Sequence, residues 1–84
     1  MRVTVELTYE MTKEVGVERF DVDDVSTVAE LVERAKERVG PSFDKHVRLA
    51  AVAVNGVLVH YKRGMRTKLA DGDIVNFVKA SAGG

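Results

Sequence analysis

The sequence predicts an α+β domain of two layers, a sheet of four to five strands with one main helix across one face. Three observations predict it. Period-two alternation of apolar and polar residues marks short strands near both ends of the chain. One central segment switches to helical spacing, with Val28, Leu31, Val32, Ala35 and Val39 on a single stripe. Two turn signals, Asn55-Gly56 and Asp71-Gly72, cut the remainder into strand-length pieces. A helix with one apolar stripe must bury it on another element, and the sheet is the surface that can take it.

In order along the chain, Val3, Val5 and Leu7 alternate with Arg2, Thr4, Glu6 and Thr8, the pattern of a half-buried strand. Residues 9–16 read as a loop. Residues 17–22 alternate again, with Phe20 and Val22 opposite Val17, Arg19 and Asp21, so the two runs form a hairpin. Thr27 followed by Glu30 fits a capping box at the start of the helix. Gly40 suits the residue after its last turn, and Pro41 cannot continue it. Glu30 and Arg34 are spaced to pair on its exposed face. Residues 49–54 form a short apolar strand and residues 57–59 a short return strand. Residues 61–68 form a loop rich in Lys and Arg, and residues 73–78 a last strand. In that last strand Val75 and Phe77 face one way, and Ile74, Asn76 and Val78 the other.

Composition narrows the function classes. A chain of 84 residues holds one domain with a modest core and little room for a deep cleft. Thirteen Lys+Arg balance thirteen Asp+Glu, so the basic excess that nucleic-acid binding draws on is missing. There is no cysteine, which excludes disulfides, thiolate metal sites and Cys nucleophiles. His46 and His60 are too few for a histidine zinc site without carboxylate help. No signal-peptide core and no membrane-length apolar run is found. The expectation is a cytoplasmic protein that binds neither nucleic acid nor membrane.

The open sheet face and the tail carry the functional signal. A sheet covered on one side should be polar on the other, yet Leu49, Ala51 and Ala53 oppose Val52 and Val54, and Ile74 and Val78 are apolar on the outer side of the last strand. Contiguous exposed apolar surface marks a partner site. The bland alternative is a small patch of no consequence. After Val78 comes a run of mostly small residues ending in Gly83-Gly84. The expected organisation is a domain over 1–78 and a projecting tail over 79–84. Two final glycines suit a terminal carboxylate that has to thread a narrow active site, because they lack Cβ atoms and rotate freely. That carboxylate is a poor electrophile until activated, and adenylation with ATP is the obvious route. The chain has no Walker A motif or Gly-rich βα turn, so a separate enzyme has to supply the activation.

With Val54-Asn55-Gly56, Leu69-Ala70-Asp71-Gly72-Asp73-Ile74-Val75 and Gly83-Gly84 in view, the chain resembles the ubiquitin-like sulfur carriers of the MoaD/ThiS type. These are the small subunit of molybdopterin synthase, the thiamine-pathway carrier and the archaeal small modifier proteins. The resemblance covers essentially the whole chain and implies a β-grasp fold, with a mixed four- to five-stranded sheet. It also implies that Gly84, preceded by Gly83, is adenylated by an ATP-dependent activating enzyme and converted to a thiocarboxylate. The chain itself would bind no cofactor and be non-catalytic alone. It would donate sulfur within a partner such as a molybdopterin synthase large subunit. Length favours that pathway, whereas Lys79-Ala80 stands where molybdopterin-type tails commonly carry two prolines. Conjugation to target-protein lysines, sulfur donation in thiamine synthesis or tRNA thiolation, and a purely interacting β-grasp module remain as alternatives.

Leu49, Ala51, Ile74 and Val78 are the expected partner interface, with Arg63 and Arg66 as a docking element for an acidic surface. Lys62, Arg63, Arg66 and Lys68 could equally form an ordinary solvated loop. His60 beside Tyr61 reads as a surface histidine, since no motif sets a carboxylate or nucleophile with it. Asp71 and Asp73 flank a turn glycine and read as turn formers rather than a catalytic pair.

Overall fold

In the computed structural model, which describes residues 1–79, the first alternating run is β1 (Arg2–Glu6), with Val3 and Val5 fully buried and Arg2 exposed. It is followed by α1 (Tyr9–Val15), β2 (Arg19–Asp23), α2 (Val28–Val39) and α3 (Phe43–Arg48), then β3 (Ala50–Val54), β4 (Val57–Leu58) and β5 (Ile74–Lys79). Two 3-10 turns, Val59–Tyr61 and Gly64–Arg66, lie between β4 and β5.

The five strands pair in the order β2-β1-β5-β3-β4. β5 lies parallel to β1 and antiparallel to β3, and the two hairpins are antiparallel. A last strand inserted between two hairpins, with a helix crossing one face, is the ubiquitin-like β-grasp.

The main helix forms as its sequence dictates. Thr27 caps it by accepting the Glu30 N–H at 3.2 Å, and the Glu30 carboxylate reaches back to the N–H and hydroxyl of Ser26. Those donors hold the Glu30 carboxyl below its ordinary value. A further donor at the helix start, Val28 N–H, is taken by the Thr67 carbonyl at 3.0 Å. Val28, Leu31, Val32 and Ala35 are buried on the sheet. Arg34 turns toward the Asp23 carbonyl, at 3.5 Å.

The helical layer is fuller than the sequence predicts. Residues 9–16, expected as a loop, contain α1. Thr8 caps it by accepting the Met11 N–H, Gly16 ends it at φ 90°, and Met11 is buried. α3 follows Pro41 and has no counterpart among the expected elements. It carries Phe43, fully buried, edge-on to Phe77 with centroids 5.4 Å apart. Both helices are short, and each is tied down by one large buried side chain rather than by an extended stripe.

Strand boundaries shift slightly. β2 begins at Arg19 and leaves Val17 exposed outside it. β4 stops at Leu58, where the chain turns into the first 3-10 turn. Thr67, buried, anchors the basic loop by accepting the Arg63 N–H, and Lys68 bridges to Thr27. β5 runs to Lys79, one residue beyond its expected end.

Candidate docking face and the root of the tail

The open face of the sheet is divided in two. On β1 and β2 it is charged. Arg2 pairs with Asp23 at 2.8 Å, Arg19 pairs with Glu6, and the Thr4 hydroxyl donates to Asp21 at 2.9 Å. The Arg19 and Arg2 guanidiniums hold the Glu6 and Asp23 carboxyls below their ordinary values, chiefly through these hydrogen bonds. On β5, β3 and β4 the face is apolar. Ala51 lies directly opposite Val78, Ala53 lies between Asn76 and Leu58, and Ile74 begins β5. Ile74 and Val78 are 38% and 40% exposed, and Ala51 is half-buried. Asn76 marks the seam, donating its amide to Glu6 across β1 and β5.

Three of the expected interface residues therefore share the open face, and three do not. Leu49 falls outside β3 as the residue ending α3, so the strand alternation does not reach it. It stands instead beside Tyr9, His46, Ala50 and Lys79 on the helix side of the sheet. Arg63 and Arg66 are carried by the segment around the second 3-10 turn, which packs against α2, not by the strands that hold Ile74 and Val78. Gly83 and Gly84, and the tail over 79–84 beyond Lys79, lie outside the described residues.

What positions β5 is a clasp at its start. The Asn55-Gly56 turn has φ of 50° and 85°, the left-handed pair that a two-residue hairpin turn requires. Asn55 then reaches β5: its Nδ2 donates to Asp73 at 2.8 Å, and its Oδ1 accepts the Ile74 N–H at 2.9 Å. The second Asp73 oxygen accepts the Ala70 N–H, and Asp71 accepts the Arg2 N–H, both at 2.8 Å. Asp71 and Asp73 are thus turn formers, as their spacing suggests. His60 packs edge-on against Tyr61. No group of His, Cys, Asp and Glu able to hold a metal occurs among the described residues. No helix among them is long and apolar enough to cross a membrane.

A β-grasp domain with a half-apolar open face, whose central strand leads toward Gly83-Gly84, defines a ubiquitin-like protein. The ThiS family matches residues 5–84, and the chain belongs to that family of ubiquitin-fold sulfur carriers. A chain of the Amycolatopsis orientalis BexX/CysO complex superposes with a TM-score of 0.82 at 25% identity, over 98% of this chain and 99% of that one. The small archaeal modifier protein 1 of Methanosarcina acetivorans gives 0.85 at 15% identity, over 99% and 96%. A chain from the complex of subunits 1 and 2 of the Helicobacter pylori molybdopterin-converting factor gives 0.66 at 24% identity, over the whole of both chains. No curated protein matches the chain.

Proposed function

We propose that this protein carries sulfur on its C-terminal Gly84 and is not catalytic alone. The observation that carries the reading is the family match, which runs through Gly83-Gly84. In the first step a Gly84 carboxylate oxygen attacks the α-phosphorus of ATP on a separate activating enzyme, and pyrophosphate leaves. In the second, hydrosulfide attacks the acyl carbon and AMP leaves, giving a thiocarboxylate. The apolar half of the open face, Ala51, Ile74 and Val78, docks the partners. Because Val78 adjoins the tail's root, gripping it limits where Gly84 can be, a gain in effective concentration. The accepting partner in this reading is a molybdopterin synthase large subunit. The two-subunit factor whose chain shares this fold supports that choice.

The test is to incubate the chain with its source organism's activating enzyme, ATP and sulfide, and to weigh it. The expected product is heavier by the exchange of one oxygen for one sulfur, localised to Gly84. Transfer of that sulfur to the large subunit's substrate is then followed. An unchanged mass removes the carrier reading. A thiocarboxylate that the large subunit cannot use removes only the molybdopterin assignment.

A further inference from the structure

On the opposite side of β5 from Val78, the molecule has a second apolar feature. A groove of about 410 Å³ runs between the start of α1 and the end of α3, with Lys79 on its edge. Tyr9 and Leu49, from different elements, both border it, and they are 74% and 64% exposed. Its walls are held in place. The His46 ring is paired with the Glu14 carboxylate, joining α3 to α1, and the Lys13 ammonium lies 5.4 Å from the centre of the Tyr9 ring. Ala50, opposite Lys79 in the sheet, is too small to fill the space.

The position of the groove says what comes to it. Residues 80–84 follow Lys79, and five residues span at most about 17 Å. An enzyme acting on Gly84 therefore opens its active site within that distance of the groove. The end of β5, where the tail begins, has two flanks. One is the Val78 side. The other is this groove, where an exposed tyrosine, a residue type enriched at the anchoring centres of protein interfaces, borders an apolar cavity beside Leu49.

We propose that the groove between α1 and α3 seats an apolar side chain of the ATP-dependent activating enzyme, so that the enzyme holds the end of β5 from both faces of the sheet. This rests on the carrier reading above. Tyr9 and Leu49 are the contacts, and Ala50 is the floor.

The experiment measures ATP-dependent pyrophosphate release by the source organism's activating enzyme as a function of carrier concentration. The carriers are the full chain and its variants Tyr9→Glu, Leu49→Glu and Glu33→Lys. Each groove variant is expected to raise KM by roughly tenfold, with kcat nearly unchanged, as loss of one docking anchor does. Glu33→Lys, on the exposed side of α2, should match the parent. Leu49→Ser, with the same direction of effect, replaces Leu49→Glu if thermal melting shows that the latter unfolds. A parent that is never adenylated overturns both the carrier reading and this inference. A parent that is adenylated with groove variants of equal KM overturns the groove alone. Two further results also overturn it. One is a dimer of the parent that Leu49→Glu dissolves, which gives the groove to a second copy. The other is a change in the Leu49 methyl signals on deleting residues 80–84 from the free protein, which gives it to the tail.

Discussion

Asn55 and Asp73 grip one another across the end of the sheet, amide to carboxylate at 2.8 Å, while the Asn55 oxygen takes the first N–H of β5. Two of the three segments that carry the family resemblance are thus one structural device. The hairpin turn after β3 fixes the start of the strand that leads to the tail. Asn55→Ala removes both bonds and leaves a residue at φ 50° that disfavours the left-handed region. The expected loss is about 1–3 kcal/mol. Asn55→Gly removes the same bonds but accepts the turn, so it should lose less. Urea denaturation of the two variants gives the order, and a larger loss for glycine would contradict it.

Leu31 is fully buried under α2, and Phe77 is buried against Phe43. Truncating either to Ala should remove roughly 2–5 kcal/mol of stability, as cavity-forming changes in close-packed cores do. Chemical denaturation measures it. A loss below about 1 kcal/mol at either position would mean the site collapses around the missing atoms.

Ile74→Glu and Val78→Glu should weaken binding of the activating enzyme and of the sulfur-accepting partner, with melting temperatures close to that of the parent. Both side chains are more than a third exposed on the open face. Exposed substitutions of this kind change stability by about 0.5 kcal/mol or less. Titration calorimetry with each partner, using Glu33→Lys as the control, tests this. Unaltered affinity in both variants would remove the open face from the interface.

Deleting Gly83 and Gly84 should abolish thiocarboxylate formation and leave thermal unfolding unchanged. Mass spectrometry and a melting curve on the same sample answer both halves. A chain that still gains sulfur after the deletion would place the acceptor atom elsewhere.

Stability should fall on acidification. Glu6, Glu14, Asp23 and Glu30 are all held below their ordinary carboxyl values. The main causes are hydrogen bonds from Arg19, His46, Arg2 and the Ser26 N–H respectively. A carboxyl with a depressed folded-state value gives stability that is present above its unfolded value, here 4.5 for the glutamates. That stability is lost as pH drops through the folded value. Denaturant midpoints measured from neutral pH down to about pH 3 should decline, most steeply below the unfolded values. Glu30→Gln should flatten part of the decline. A midpoint that rises on acidification would reverse the sign argued here.

The strands, the main helix with its caps, and the turn at Asn55-Gly56 were legible because each rests on a local pattern of residue types. The two short helices were not. Seven residues in α1 and six in α3 are too few for a periodic stripe to stand out, and each is secured by a single buried residue, Met11 or Phe43, the latter against Phe77, far along the chain. The open-face patch was legible for Ile74, Val78 and Ala51, since alternation assigns their side. Leu49 was misassigned because α3 ends at that residue and breaks the alternation one position before the strand begins. Arg63 and Arg66 could not be placed by pattern, since their position depends on Thr67 docking at the start of α2.

The place of β5 in the sheet also imposes an order in time. It is the last strand to be made and yet the one that joins both hairpins, through β1 on one side and β3 on the other. While Ile74 to Lys79 are still inside the ribosome, β1 and β3 have no common neighbour, and Phe43 has no Phe77 to meet. The nascent chain therefore stays open until Ile74 to Lys79 have left the ribosome, with its closing contacts among the longest in sequence that the domain makes. A copy that stops before that point cannot close its sheet. Every folded copy has been translated past Lys79.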